Sequence, residues 1–102
     1  MKFKTNQPKI KGRIAEEIVR YHLIKLELVV LVPIGDNERY DFVVHKDNRF
    51  IRIQSKLGRV RKGALVFSTR SVGINRSGIK YRDYLNDVDY FAVLEPESEQ
   101  VS

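Results

Sequence analysis

The sequence predicts an α/β sandwich built around a mixed β-sheet, with an N-terminal helix and a second short helix flanking it. Three observations lead there. Residues 11–26 repeat apolar side chains at helical spacing. Runs at 28–32, 40–44, 50–56 and 90–94 are short, apolar and rich in β-branched or aromatic residues. Only short turns separate the first three runs, whereas a long basic segment precedes the last.

Taking the elements in order, residues 1–10 are basic and polar and read as an arm leading into the helix. With Ile14 set at 0° on a helical wheel, Ile18, Ala15, Leu26, Val19 and Leu23 fall within about 180° of one another, forming a broad apolar stripe. Glu16 falls at about 200°, on the border of the stripe, and Glu17 at about 300°, away from it. His22 lies inside the stripe and reads as a partly buried core histidine. Leu28 to Val32 form a continuous apolar run stopped by Pro33, which suits a buried strand. Residues 34–39 are turn-rich, 40–44 form a second strand, and Asp47-Asn48 supply the next turn. In the third strand, Ile51, Ile53 and Ser55 share one face, and Arg52, Gln54 and Lys56 the other. The short turns predict an antiparallel meander. A basic loop at 58–63 follows, then an extended segment at 64–68, a polar loop at 69–78 and a helical turn at 81–86. The last strand is 90–94, stopped by Pro96.

Composition bounds the function. A chain of 102 residues, 42% hydrophobic and 31% charged, suits one domain spanning 1–102, with 98–102 read as a truncated tail. The absence of cysteine excludes disulfides, thiolate metal sites and cysteine nucleophiles, and two histidines are too few for a histidine-built metal cage. No apolar run reaches the roughly 20 residues of a membrane span, and the N-terminus lacks the features of a secretory signal. A soluble protein of the cytoplasm is expected.

The charges are segregated. Residues 49–82 hold ten cations and no anion; residues 83–102 hold six anions and no cation. Residues 1–82 therefore carry nineteen cations against seven anions, a net +12, and the tail carries −6. An acid-free stretch of this kind is the footprint of a phosphate-backbone binder, although a solvated basic face would share it. Candidate DNA contacts are Lys11, Arg13, Arg59, Arg61, Lys62, Arg70 and Arg76. Phe50, Phe67 and Tyr81 read as core residues rather than base-stacking platforms, which argues against single-strand binding.

The candidate catalytic residues are Glu16, Asp41, Gln54 and Lys56. Asp41 opens the second strand, and pairing through the 44–50 turn sets it across from the 53–56 end of the third. Gln54 and Lys56, two apart, leave one face of that strand. A hard cation such as Mg²⁺ takes oxygen ligands and keeps several waters. The Asp41 carboxylate, the Gln54 side-chain oxygen and the Ser55 carbonyl are candidate metal ligands, with Glu16 as a second carboxylate. Such a cation would offset charge on a phosphodiester and acidify a bound water, and Lys56 would orient or help deprotonate that water or pair with the phosphate. Structural roles are open to each residue as well. Asp41 could cap the strand or pair with Arg39 or Arg52, Gln54 and Lys56 could be a solvated edge face, and Glu16 could pair with Arg20.

Taken in order, the opening Lys11-Gly12-Arg13-Ile14-Ala15-Glu16, Pro33-Ile34-Gly35-Asp36 leading to Tyr40-Asp41, and Arg52-Ile53-Gln54-Ser55-Lys56 resemble the PD-(D/E)XK nuclease superfamily, in its group I intron-encoded homing endonuclease branch. Arg61-Lys62-Gly63 and the segment 89–97 are similar to the same branch. The resemblance implies a restriction-endonuclease-like core and a Mg²⁺-dependent endonuclease, with Mn²⁺ as the alternative ion, acting on double-stranded DNA. It also implies that Asp41, Gln54, Lys56 and Glu16 form the site. Tyr40 stands where most members have proline, and Gln54 where most have an acid. Two other readings compete: a nuclease acting on branched DNA in the manner of Holliday-junction resolvases, and a non-catalytic nucleic-acid-binding module. Cutting both strands with one site per subunit calls for a homo-oligomer, a dimer or tetramer.

Overall fold

The computed structural model describes residues 2–35, 38–68, 70–75, 78–83 and 87–102, the two stretches between 70 and 83 as backbone only. The first element is α1 (Pro8–Lys25). Proline at the first helical position is pre-set for helix and has no N–H to leave unpaired, so the helix begins inside the segment read as an arm. It also ends earlier than its apolar stripe suggests. Glu27 takes a left-handed conformation (φ 60°), and the Glu27 N–H donates to Ile24 O while the Leu28 N–H donates to Leu23 O. This is the paired-bond helix stop usually built on glycine, and it leaves Leu26 70% exposed.

Nine strands follow among the described residues: β1 (Val29–Leu31), β2 (Phe42–Lys46), β3 (Arg49–Leu57), β4 (Arg59–Arg61), β5 (Ala64–Val66), β6 (Arg70–Asn75), β7 (Gly78–Asp83), β8 (Tyr90–Glu95) and β9 (Gln100–Val101). The main sheet runs β1-β2-β3-β8-β9. The expected antiparallel meander is present, turning at Asp47-Asn48, both at positive φ as a two-residue hairpin turn of type I′ requires. β8 then pairs parallel to β3, from Ile53↔Tyr90 to Leu57↔Leu94, making the sheet mixed.

Helix α1 packs across β1, β3 and β8. Ala15, Val19 and Leu23, one per turn, are its buried residues. Val19 and Leu23 meet Phe42, Val44, Ile53 and Ala92 in the core, with Leu28, Val30, Ile51 and Val101 at its margin. His22 is half-buried, with its ring edge-on to Tyr21.

The segment between β3 and β8 departs from the sequence reading. The expected loop at 58–63 is instead most of a hairpin, β4–β5, turning at Lys62 (φ 50°) and Gly63 (φ 78°). Residues 70–75 and 78–83 form a second hairpin, not a polar loop and a helical turn. Residues 84–86 lie outside the described residues. The expected second helix is therefore not found: α1 is the only helix among the described residues. Alternating Arg59-Val60-Arg61 and Ala64-Leu65-Val66 carried a strand signal, masked by the high density of cations. At the end of the chain, β9 pairs with β8 at Leu94↔Val101 and Glu95↔Gln100, a strand the sequence reading lacked. The Glu95 carboxylate holds the connecting turn by accepting bonds from Glu97 N–H, Ser98 N–H and the Ser98 hydroxyl, which depress its pKa.

Candidate active site

The candidate site lies where the helix passes over the end of the β2–β3 ladder. Ala15 and Val19 anchor the buried face of α1, and this holds Glu16 half-buried at its edge. Glu17, one residue on, has a side chain 64% exposed and pairs with Arg20. The chain leaving β1 through Pro33 and Gly35 returns at Tyr40 and encloses a pocket of about 290 Å³ lined by Glu16, Val32, Pro33, Gly35, Glu38, Tyr40 and Asp41. Glu38 is the carboxylate that the sequence reading missed. Its only signal was its spacing of three residues from Asp41 in a turn-rich loop.

Asp41 precedes β2, and its N–H donates to Ile53 O at 2.9 Å. Its Oδ2 accepts from the Ser55 N–H at 2.9 Å and from the Ser55 hydroxyl at 2.6 Å. Asp41 thus meets β3 at the expected end, but at Ser55 rather than at Gln54. Ladder alternation starts only at Phe42, so the Asp41 carboxylate can reach the buried face of β3. Ser55 is the one buried polar residue among those described. Gln54 and Lys56 are half-buried on the other face, outside the pocket lining.

The electrostatics tie these groups together. Burial raises the Glu16 pKa above the usual carboxylate value, the negative charges of Asp41 and then Glu17 add to the rise, and Arg20 and Arg13 oppose it. Burial depresses the Lys56 pKa, with Asp41 opposing and Arg39 reinforcing the fall. Arg39 is ion-paired to Asp87. Neither sequence-level structural partner for Glu16 and Arg52 is the one observed here: Arg20 pairs with Glu17, and Arg52 pairs with Asp89.

A family model for PD-(D/E)XK endonucleases matches residues 6–102. The chain belongs to this family. The solved structure of a bacterial homing endonuclease, I-Ssp6803I, superposes with a TM-score of 0.78 at 28% sequence identity, over 94% of this chain and 67% of that one. No curated protein gives a significant match. The restriction-endonuclease-like core that the motifs implied is thus the fold, with one helix among the described residues where two were expected. Membership makes the chain a nuclease relative, and no helix among the described residues is long and apolar enough to cross a membrane.

The donor set of this PD-(D/E)XK core fits a hard divalent cation. Three carboxylates, Glu16, Glu38 and Asp41, line one pocket, and burial together with the charge on Asp41 makes Glu16 reluctant to ionise. A cation there would relieve that repulsion. Among the described residues no three His, Cys, Asp or Glu side chains group closely enough to cage an ion. A bound divalent ion would draw on amide or carbonyl oxygen and on water as well.

Of the candidate DNA contacts, Arg59, Arg61 and Lys62 are exposed on the β4–β5 hairpin, directly beyond the strand carrying Lys56. Arg13 is exposed on α1, whereas Lys11 is half-buried with its ammonium 5.3 Å from the Phe3 ring centroid. Arg76 and the Arg70 side chain lie outside the described residues. The core reading of Phe50 fails: it is 64% exposed and stacks on His45 across the hairpin. Phe67 is half-buried, tilted against Phe91. Gly58, where β3 gives way to β4, leaves no room for a side chain. An added Cβ would lie 2.6 Å from Val93 Cγ1 and 2.9 Å from Leu65 Cδ1. This glycine seats the basic hairpin against β8.

Proposed function

We propose that the chain is a single-domain, metal-dependent endonuclease that hydrolyses phosphodiester bonds of double-stranded DNA. The observation that carries this reading is that Glu16 and Asp41 line one pocket at the end of the β2–β3 ladder of a PD-(D/E)XK fold, with Lys56 near enough to feel the charge of Asp41. Asp41 and Glu16, completed by the Gln54 side-chain oxygen and the Ser55 carbonyl, would hold Mg²⁺, or Mn²⁺ in its place. The ion supplies Lewis acidity and an acidified water when bound. The remaining work falls to the protein. Ser55 fixes the Asp41 carboxylate through two hydrogen bonds. Lys56, less basic than a free lysine, gives up a proton more readily and is suited to orient or deprotonate the attacking water. Arg59, Arg61 and Lys62 would grip phosphates along the duplex. Because each subunit offers one such site, cutting both strands calls for a homo-oligomer, working where DNA is found, in the cytoplasm.

The test is cleavage of plasmid and linear duplex with Mg²⁺, with Mn²⁺ and with chelator, by the wild-type protein and by Asp41→Asn. Cation-dependent cutting that Asp41→Asn abolishes, with DNA binding equal or tighter because an anion near phosphate is removed, supports the reading. Binding without cutting under every cation would favour the non-catalytic module. Preferential cutting of a four-way junction over linear duplex would favour the branched-DNA reading.

A further inference from the structure

Three contacts between segments distant in sequence close a ring that passes through Asp41 of the candidate site. Asp41 is bonded to Ser55 on β3. Three residues before Ser55, the Arg52 N–H donates to Asp89 Oδ2 at 2.8 Å, the Asp89 N–H donates back to Arg52 O at 2.9 Å, and the Arg52 guanidinium also reaches the Asp89 carboxylate. Two residues before Asp89, Asp87 Oδ2 lies 3.6 Å from Arg39 Nε, and Arg39 is two residues before Asp41. The path Asp41–Ser55–Arg52–Asp89–Asp87–Arg39 thus returns to its start.

The Arg39–Asp87 link differs from a surface ion pair. The side chains are only 18% and 28% exposed, and the Arg39 Nε is shut off from solvent. A charge taken out of water there is offset by the opposite charge beside it, and removing one partner withdraws that offset from the other. What the pair joins matters, because Tyr40 and Asp41 precede β2, and Asp41 is tied to β3 through its N–H and carboxylate rather than through a continued strand. The chain reaches them from Glu38, which lines the same pocket.

We propose that Arg39 is a positioning residue: its ion pair with Asp87 fixes the approach to Asp41 and so aims the Asp41 carboxylate at Ser55 and into the pocket. The proposal rests on the nuclease reading above. It assigns Arg39 and Asp87 a joint role, and a joint role has a specific signature: removing either partner releases the anchor, and removing both does no further harm.

The experiment compares Arg39→Met, Asp87→Asn and the double variant in cation-dependent duplex cleavage, in Mn²⁺ titration without DNA, and in amide hydrogen exchange at Ser55. Each single variant should lower kcat about 10²-fold with KM little changed, and the double variant should be no worse than either. Mn²⁺ affinity should fall in Arg39→Met, although removal of a nearby cation would by electrostatics alone raise it. Ser55 exchange should accelerate in both single variants while the core amides of Val19 and Phe42 stay protected. A raised KM with unchanged kcat in Arg39→Met, together with a neutral Asp87→Asn, would make Arg39 a phosphate contact and overturn the proposal. So would uniform acceleration of exchange through the core with kcat unaltered, the mark of a purely structural pair. Cleavage by the wild type with all three variants unchanged sinks this inference alone. No cleavage by the wild type under any cation sinks the nuclease reading and the inference with it.

Discussion

Asp41 Oδ2 accepts two hydrogen bonds from a single residue, the N–H and the hydroxyl of Ser55, at 2.9 and 2.6 Å. Two donors on one oxygen fix the carboxylate plane and leave the other oxygen to be aimed by the same constraint. The hydroxyl bond goes to an ionised acceptor in a half-buried place, where such bonds contribute about 1.5–3 kcal/mol.

Ser55→Ala removes one of these bonds and keeps the other. Stability should fall by about 1–2 kcal/mol, read as a lowered midpoint in urea unfolding. Cleavage should fall less than in Asp41→Asn, because the backbone N–H still holds the carboxylate. A Ser55→Ala protein with wild-type stability and wild-type cleavage would show that the hydroxyl contributes nothing to the site.

Glu16 and Glu17 differ by one position and by their surroundings: one half-buried in the pocket, the other exposed and paired with Arg20. With Gln54 neutral, few formal anions are at hand to hold a cation, so Glu16→Gln should lower the cleavage rate about 10²-fold or more while the protein stays folded. Glu17→Gln should cut like the wild type, since an exposed pair of this kind is worth at most about 1 kcal/mol. Equal cleavage by the two variants would assign Glu16 a structural role only.

The raised Glu16 pKa also sets a stability dependence on pH. Between the unfolded value of 4.5 and the higher folded value, the native state binds more protons than the unfolded chain. Stability therefore drops as pH rises through that window, because ionised Glu16 is disfavoured in the fold. Replacing it with glutamine removes the penalty. Glu16→Gln should melt above the wild type at pH 7, and the gap should close below pH 4.5. A gap of the same size at both pH values would point to packing instead of charge.

The β4–β5 hairpin carries Arg59, Arg61 and Lys62 in the open. Neutralising all three should weaken binding to every duplex alike and flatten the plot of log affinity against log salt by about 0.9 for each phosphate that these side chains would otherwise neutralise. An unchanged slope in fluorescence anisotropy titrations would place all three away from DNA.

Much of the fold was legible because its signals are local. The 3.6-residue repeat of Ala15, Val19 and Leu23 selects a helix face, the alternation of Ile51, Ile53 and Ser55 selects a strand face, and Asp47-Asn48 tolerates the positive φ of a two-residue turn. The ordered series Glu16, Asp41, Gln54 and Lys56 was legible as a resemblance to the family whose model matches the chain. Where local chemistry misled, a residue had adopted a conformation its type disfavours. Glu27 and Lys62 take the left-handed region that is ordinarily assigned to glycine, so the helix stop was set late and a hairpin passed for a loop. Tertiary structure decided the rest. That Asp41 meets Ser55 and not Gln54 depends on β2 starting at Phe42, one residue inside an ambiguous boundary, and a shift of one residue exchanges strand faces. That Arg39 meets Asp87, and Arg52 meets Asp89, depends on β8 crossing back to lie parallel to β3. No short-range pattern encodes a pairing between residues 48 or 37 positions apart. It is set by burying Ala92 in the core with Val19, Leu23 and Ile53, a choice made by the packing of the whole sheet.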